Sequence, residues 1–540
     1  MSLSLTAEQK SLLKIFKIEE QYVIPAYQRP YSWGYEQCFQ LYNDLMDAYK
    51  ANEDYFIGNI IIAKSTSNKE ELEVIDGQQR LTTLLLLIKV LHILKPELKV
   101  LGQMLEQEDW EGNEKKPRIR TNVFEAKDGD DLNSVLEYDK VKLINLFEES
   151  KDRNGKFNEN KAKNQFEINI IYFYDWLMFF LSKNDNINNF VSYLLKNVYL
   201  LPIELVGKTQ EEANEKALII FETINDRGMN LEDADIFKAK LYKKAKKVNE
   251  DKEFIESWVD FKKSCENLNL EIDDVFRYYS HIVRGKEKIT SSEIGLREFF
   301  VRKKYSPFEL KKYKEILGDL FKIIEILEFI NIEKHEKNNI AKWFQLIEVY
   351  TNQYPKFAVI TYLFVNGLYL DSKLLSFLKS LIRYVYYKGS TARVKFEIYN
   401  IIKRVCSHQN LNSYYEDVDL NYFDYLGRLK YGYALLSFYL IYDNSLSYYS
   451  IDKIINLKDR SVLKNDWYNI DLDYVIESLG NFVVLDIRKR NISLLNKKQY
   501  YSESNLKYVE GIFTPEFSYE NFKKRDKFLK ENLVNFFKGD

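Results

Sequence analysis

Two hydrophobic patterns alternate along the first half of the chain, and one of them fills most of the second half. Short runs dense in β-branched and aromatic residues, at 22–24, 55–63, 72–75 and 198–206, predict strands. Longer stretches with helical spacing lie between them. Residues 36–49 place Phe39, Leu41, Tyr42, Leu45 and Met46 on or near one face, residues 78–91 contain neither Gly nor Pro, and residues 162–182 carry Phe173, Trp176, Leu177, Phe179 and Phe180. An aromatic stripe of that kind is ordinarily core. Residues 5–16 predict one more short amphipathic helix. Pro25 ends the first strand. Pro202 within 198–206 predicts an edge strand or a bulge, and Gly58 within 55–63 predicts a bulge or a close approach of backbone to a ligand. Residues 95–163 lose both patterns at PELKV, EGNEKKPR and KDGDDLN, which predicts an irregular insertion with short helices. From 236 to about 440 the spacing is helical almost throughout, with no fixed-period repeat.

The stretch EVIDGQQRLTT, Glu73 to Thr83, joins a strand to a helix through a turn at Asp76 and Gly77. A helix N-terminus offers unpaired N–H groups and the positive end of a dipole, Gly77 removes a blocking side chain, and Arg80 adds a guanidinium fork, so the turn suits a phosphate. Asp76 repels a phosphate and reads as a magnesium ligand or a base that positions water, with Gln78 or Gln79 orienting that water; the competing reading is a helix cap. Pro25 and Pro30 bracket a loop that presents Gln28 and Arg29 on extended backbone. Tyr27, Tyr31 and Trp33 beside it suit either base stacking or packing. Thr209 to Glu212 forms a capping box that starts a helix running to about Asn225, with Gly228 as its end and Asn230 and Asp233 opening the next.

Composition narrows the class. The 540 residues are 46% hydrophobic and 30% charged, which is globular, and two to four domains fit the length. Lys+Arg 79 against Asp+Glu 81 leaves a formal charge of -2, so any nucleic-acid surface is local. The lysine-rich run 238–247 suits phosphate contact or a solvated face. Cys38, Cys265 and Cys406 lack metal-ligand spacing and predict reduced thiols in a cytoplasmic protein. No apolar run is long enough to cross a bilayer.

Four blocks in order, IPAYQRPYSW (Ile24 to Trp33), YFIGNIII (Tyr55 to Ile62), VIDGQQRLTT (Val74 to Thr83) and FETINDRGMNLEDADIFKAKLY (Phe221 to Tyr242), resemble the N-terminal domain of GmrSD-type, modification-dependent (type IV) restriction systems. The resemblance implies a ParB/sulfiredoxin-like fold that binds or hydrolyses nucleoside triphosphate with Mg2+ or Mn2+. It implies catalytic roles for Asp76, Gln78 and Arg80, with Asp76 as metal ligand, and nucleotide contacts from Gln28, Arg29, Gly58, Gly77, Gln79, Asn225 and Arg227. For Arg227 a structural salt bridge is the alternative. Asp44 stands where that family keeps an acid.

The last hundred residues resemble the HNH-type nuclease domain that accompanies this module, through SYYSIDKIIN, SLGNFVVLD and NISLLNKKQYYSESNL. Asp452 keeps the acid and is the implied metal ligand, Lys453 stands where His belongs, Asn456 where Pro belongs, and Asn481, Asn491 and Asn496 keep later polar positions. An ammonium does not take a proton from water as His does, so cleavage is expected to be lost. His92, His281, His335 and His408 lie outside the block.

The expected architecture is α+β and predominantly helical. A ParB/sulfiredoxin-like domain spans 1–245 with an insertion at 95–163, a helical domain spans 246–440, and a degenerate ββα-metal (HNH-like) domain spans 441–540. The expected function is antiviral restriction: nucleotide at the DGQQR site, and phage DNA, with modified bases, as target. The alternative is a non-cleaving regulatory or recognition subunit working with a separate nuclease or toxin. Expected partners are nucleotide, DNA and either further copies of the chain or an effector subunit, with no membrane.

Overall fold

A computed structural model describes residues 5–67, 70–108, 115–123, 127–152, 157–183, 186–225, 233–388, 391–442, 445–463, 467–513 and 517–539. It divides into two compact units, Met1–Ile255 and Glu256–Asp540. Helix makes up 62% of the structure, in keeping with a mixed sheet at the N-terminus and a largely helical remainder.

The first unit is built on one mixed sheet. Its elements in chain order are β1 (Leu5–Ala7), β2 (Lys10–Ser11), α1 (Leu12–Phe16), β3 (Gln21–Ile24), α2 (Tyr35–Ala51), β4 (Tyr55–Ser65), β5 (Glu71–Asp76), α3 (Gln78–Leu94), α4 (Lys99–Leu105), β6 (Glu106–Glu108), β7 (Lys115–Pro117), β8 (Ile119–Thr121), α5 (Asp128–Leu136), α6 (Lys140–Glu149), α7 (Gln165–Ser182), α8 (Ile187–Asn197), β9 (Val198–Gly207), α9 (Gln210–Asn225) and α10 (Asp233–Lys246). The strand order is β1-β9-β4-β5-β3-β8, with β2 also on β9. β4 runs parallel to β9 and antiparallel to β5, while β3 runs parallel to both β5 and β8.

Strand alternation sorts the side chains to two faces. Ile60 and Ile62 of β4, with Leu72 and Val74 of β5, enter the large core formed with α1, α2, α3, α7 and α8. Ile61, Ala63 and Ile75 turn to the other face and pack with Ala213 and Ala217 of α9. Helices thus cover both faces, and α3, with Leu84 to Ile88 all at 0% exposure, is apolar all round because it lies inside the core.

Three expectations are corrected. Residues 5–16 are two short strands and one turn and a half of helix, because the free edge of β9 pairs them: Leu5 opposes Leu205 and Lys10 opposes Leu200. β9 is an interior strand, and Pro202 falls in the interval between its β1 and β2 partners, where the missing donor leaves no antiparallel bond unmade. The segment 95–163 contains short helices as expected, yet it also supplies β8, which pairs Ile119 with Tyr22 of β3. Arg118, just before β8, is 3% exposed and donates to the carbonyls of Ile18 (2.6 Å), Glu20 (3.2 Å), Gln103 (3.0 Å) and Glu106 (3.0 Å).

The second unit is helical up to Ile441. The helix Tyr313–Glu333 buries Tyr313, Leu317, Leu320, Ile324 and Leu327 at the spacing read from sequence. Beyond it, β10 (Ser450–Lys453) pairs antiparallel with β11 (Phe482–Leu485), Asp452 opposite Val483. The helices Leu494–Tyr501 and Tyr519–Lys538 follow. Phe536 of the last helix stacks on Trp343 at 5.7 Å, so that helix packs on the helical stretch, while Ile454, Val475, Val483, Tyr500 and Phe522 belong to a separate core. Among the described residues no helix is long and apolar enough to cross a membrane.

Candidate functional site

The DGQQR turn and the QR loop meet at the ends of β5 and β3. β5 stops at Asp76, and Gly77 caps α3 with φ of 87°, a left-handed conformation that L side chains rarely adopt. A Cβ there would lie 2.5 Å from Ile60 Cγ2. Gly58, φ 137°, serves the neighbouring group: a Cβ would lie 2.3 Å from Arg80 Nη1, so the guanidinium occupies space that only glycine leaves open.

The glutamines join the two stretches. Gln28 Nε2 donates to Ile75 O at 2.9 Å, and Gln78 Nε2 donates to Arg29 O at 3.0 Å. Gln79 donates to Pro30 O at 3.0 Å and accepts from the N–H groups of Ser32 (2.9 Å) and Trp33 (3.3 Å). Gln79 is paired at both ends of its amide and so holds the loop, while Gln78, 7% exposed, ties the loop through its Nε2. Lys238 of α10, 2% exposed, adds a bond from Nζ to Gln28 O at 3.2 Å. Sequence reading placed this lysine in a charged run. Its position among Ile236, Phe237, Ala239 and Leu241 was the available sign that it points inward.

Two cations flank one carboxylate. Arg80 Nη2 stands 3.6 Å from Asp76 Oδ2, and the exposed Arg29 adds a favourable field. Burial nevertheless raises the Asp76 carboxyl above its ordinary range, opposed by Arg80, the Gly77 N–H and Arg29. A carboxyl whose pKa is raised on folding binds its proton more tightly folded than unfolded, so the charged form costs stability above that pKa. Asp76→Asn is therefore expected to raise the thermal midpoint at pH 7. The gain should shrink as pH falls through the raised pKa and vanish below about 3.9, where both forms are neutral. Unfolding scans from pH 7 to 3 check this, and a lower midpoint for the variant at pH 7 refutes it.

The aromatic residues pack. The Tyr31 hydroxyl bonds Thr83 Oγ1 (2.7 Å) and accepts from Asn169 Nδ2 (2.8 Å), and its ring stacks on Phe166 at 4.8 Å. Tyr27 lies against Tyr242 at 5.9 Å, and Trp33 packs on the large core. Base stacking by Tyr31 is thereby excluded at 8% exposure. Asp44 accepts from the Tyr55 hydroxyl at 3.0 Å, which fixes the start of β4. Asn225 ends α9; Arg227, Gly228 and Asn230 lie outside the described residues.

Among the described residues no three His, Cys, Asp or Glu side chains cluster as a metal cage. A magnesium ion carried on phosphates requires only one or two protein carboxylates, and Asp76 fits that mode.

The C-terminal positions do not converge. Asn481 is fully buried, accepts from the Ile455 N–H (2.8 Å) and donates to Ile455 O (2.9 Å) and Ile476 O (3.2 Å), a structural role. Asn491 is exposed and accepts from Lys458 Nζ at 2.7 Å; Asn496 is exposed on the helix Leu494–Tyr501. Lys453 Nζ bonds Glu477 at 2.7 Å. Asp452, 6% exposed, receives Lys497 Nζ at 2.8 Å and the Tyr501 hydroxyl at 2.9 Å on one oxygen. The metal expected on Asp452 does not fit, because an ammonium already lies against it. Sequence reading missed Lys497 within the polar run NKKQ.

Compared with known families, residues 12–242 match the one described as GmrSD restriction endonuclease, N-terminal domain. No curated protein matches the chain.

Proposed function

From a chain whose residues 12–242 form a GmrSD restriction endonuclease N-terminal domain, we propose a restriction-type defence protein that binds nucleoside triphosphate at the DGQQR turn and acts on phage DNA carrying modified bases. The observation that carries the nucleotide reading is the convergence of Arg80, Arg29 and the start of α3 around Asp76. Arg80 and Arg29 bind phosphate oxygens, and the first N–H groups of α3 add donors. Asp76 is the residue that would hold a phosphate-borne Mg2+ or Mn2+, and the ion would neutralise phosphate charge. Gln28, Gln78 and Gln79 keep the two stretches in register, and Gly58 and Gly77 leave room for the guanidinium and the turn. A ParB/sulfiredoxin-like arrangement agrees with the mixed sheet.

The C-terminal segment, HNH-like in sequence, is proposed to contact DNA without cutting it, which favours cooperation with a separate nuclease or toxin. The placement of Asp452, Lys453 and the three asparagines supports this second reading. Plaque assays test restriction by this chain: hosts expressing the wild-type chain plate phage poorly, and hosts expressing Asp76→Ala plate it as empty hosts do. Equal plating on all three hosts overturns restriction by the chain alone and leaves the reading that requires a separate nuclease or toxin.

A further inference from the structure

We infer that Lys497 is the resident cation of the C-terminal strand pair, its ammonium taking the place beside Asp452 that a divalent metal would otherwise occupy. The inference stands on the surroundings of Asp452 and is independent of the nucleotide reading.

β10 presents Asp452 from a register fixed by Val483 of β11. The helix Leu494–Tyr501 crosses it with Lys497 and Tyr501 one turn apart, on the same face. Both reach the same carboxylate oxygen, at 2.8 and 2.9 Å, and Lys497 also donates to the Lys453 carbonyl. The side chains of Lys497 and Asp452 are 1% and 7% exposed, so water does not screen the pair.

A single positive charge held by a carboxylate and a main-chain carbonyl, with a phenol donating to the same carboxylate, is an oxygen-lined cation site with the cation tethered. A divalent ion there would have Asp452 and the Lys453 carbonyl as its protein ligands and would fill the rest of its shell with water, since no cluster of three acidic, His or Cys side chains exists among the described residues. It would also have to displace a buried ammonium and leave that charge uncompensated, the costly way to break such a pair. Histidine placed at 453 would therefore meet no metal.

Thermal unfolding of the full chain in MnCl2 and in EDTA tests this. Wild type is expected to melt identically in both, apart from any shift shared by Asp452→Asn/Lys497→Met, which cancels metal bound elsewhere. Lys497→Ala should melt about 10 °C lower in EDTA. It should recover part of that loss in MnCl2, and Asp452→Asn/Lys497→Ala should recover none. A wild-type midpoint that falls in EDTA when the Asn/Met variant's does not overturns the inference, as does a Lys497→Ala chain indifferent to Mn2+. Should Lys497→Ala not fold, Mn2+ stoichiometry by electron paramagnetic resonance decides: equal counts for wild type and the Asn/Met variant support it, and one fewer in the variant refutes it.

Discussion

Arg80→Ala is expected to weaken nucleoside triphosphate binding by about 1.5 to 3 kcal/mol, roughly 10- to 150-fold, the size of a lost charge-assisted hydrogen bond. Gly58→Ala should produce a loss of the same order while leaving the guanidinium in the chain. A methyl at 58 would collide with Arg80 Nη1, and the φ of 137° is one that L side chains rarely adopt, so Arg80 and the backbone that places it must both yield. Equilibrium titration of wild type and both variants against all four nucleoside triphosphates, with Mg2+, measures this. Unchanged affinity for Arg80→Ala removes the phosphate role. Unchanged affinity for Gly58→Ala, with Arg80→Ala impaired, shows instead that Arg80 reaches the ligand from another rotamer.

The second large effect concerns folding. Arg118→Met is expected to cost at least about 3 kcal/mol, because it leaves four carbonyls around a buried site without their donor. Arg118→Lys should restore little, since an ammonium has three donors and no planar fork to span carbonyls on both sides. Urea unfolding gives the magnitude. Amide exchange in β3 and β8 gives the location, and loss of protection confined to other elements would show that Arg118 is not what joins them.

Much of the first unit was legible because its elements carry strong periodicity. β3, β4, β5 and β9 announce themselves through β-branched runs, and α2, α3 and α7 through spacing. β8 did not, because three residues within KPRIRT contain no pattern that distinguishes a strand from a loop. Residues 5–16 have helical spacing, and the unpaired side of β9 overrides it, a tertiary effect absent from local sequence. In the site, the glycine turn and Arg80 could be read directly, since few residue types serve a left-handed cap or a phosphate fork. The direction of each amide could not: Gln28, Gln78 and Gln79 look alike in sequence whether they face a ligand or a neighbouring carbonyl. The same limit hid Lys238 and Lys497, lysines whose charge suggests solvent and whose Nζ atoms lie inside.

The place of β8 at the end of the strand order bears on how the chain can be shortened. Residues 95–163 look dispensable, and trimming them would be a natural step in preparing a minimal first unit. Without β8, however, β3 would display an open row of main-chain donors and acceptors flanked by Tyr22, Val23 and Ile24, an edge ready to recruit a strand from another molecule. A trimmed chain is expected to elute as oligomers or to precipitate where the full chain stays dispersed, and the segment is better regarded as the sheet's protective hem.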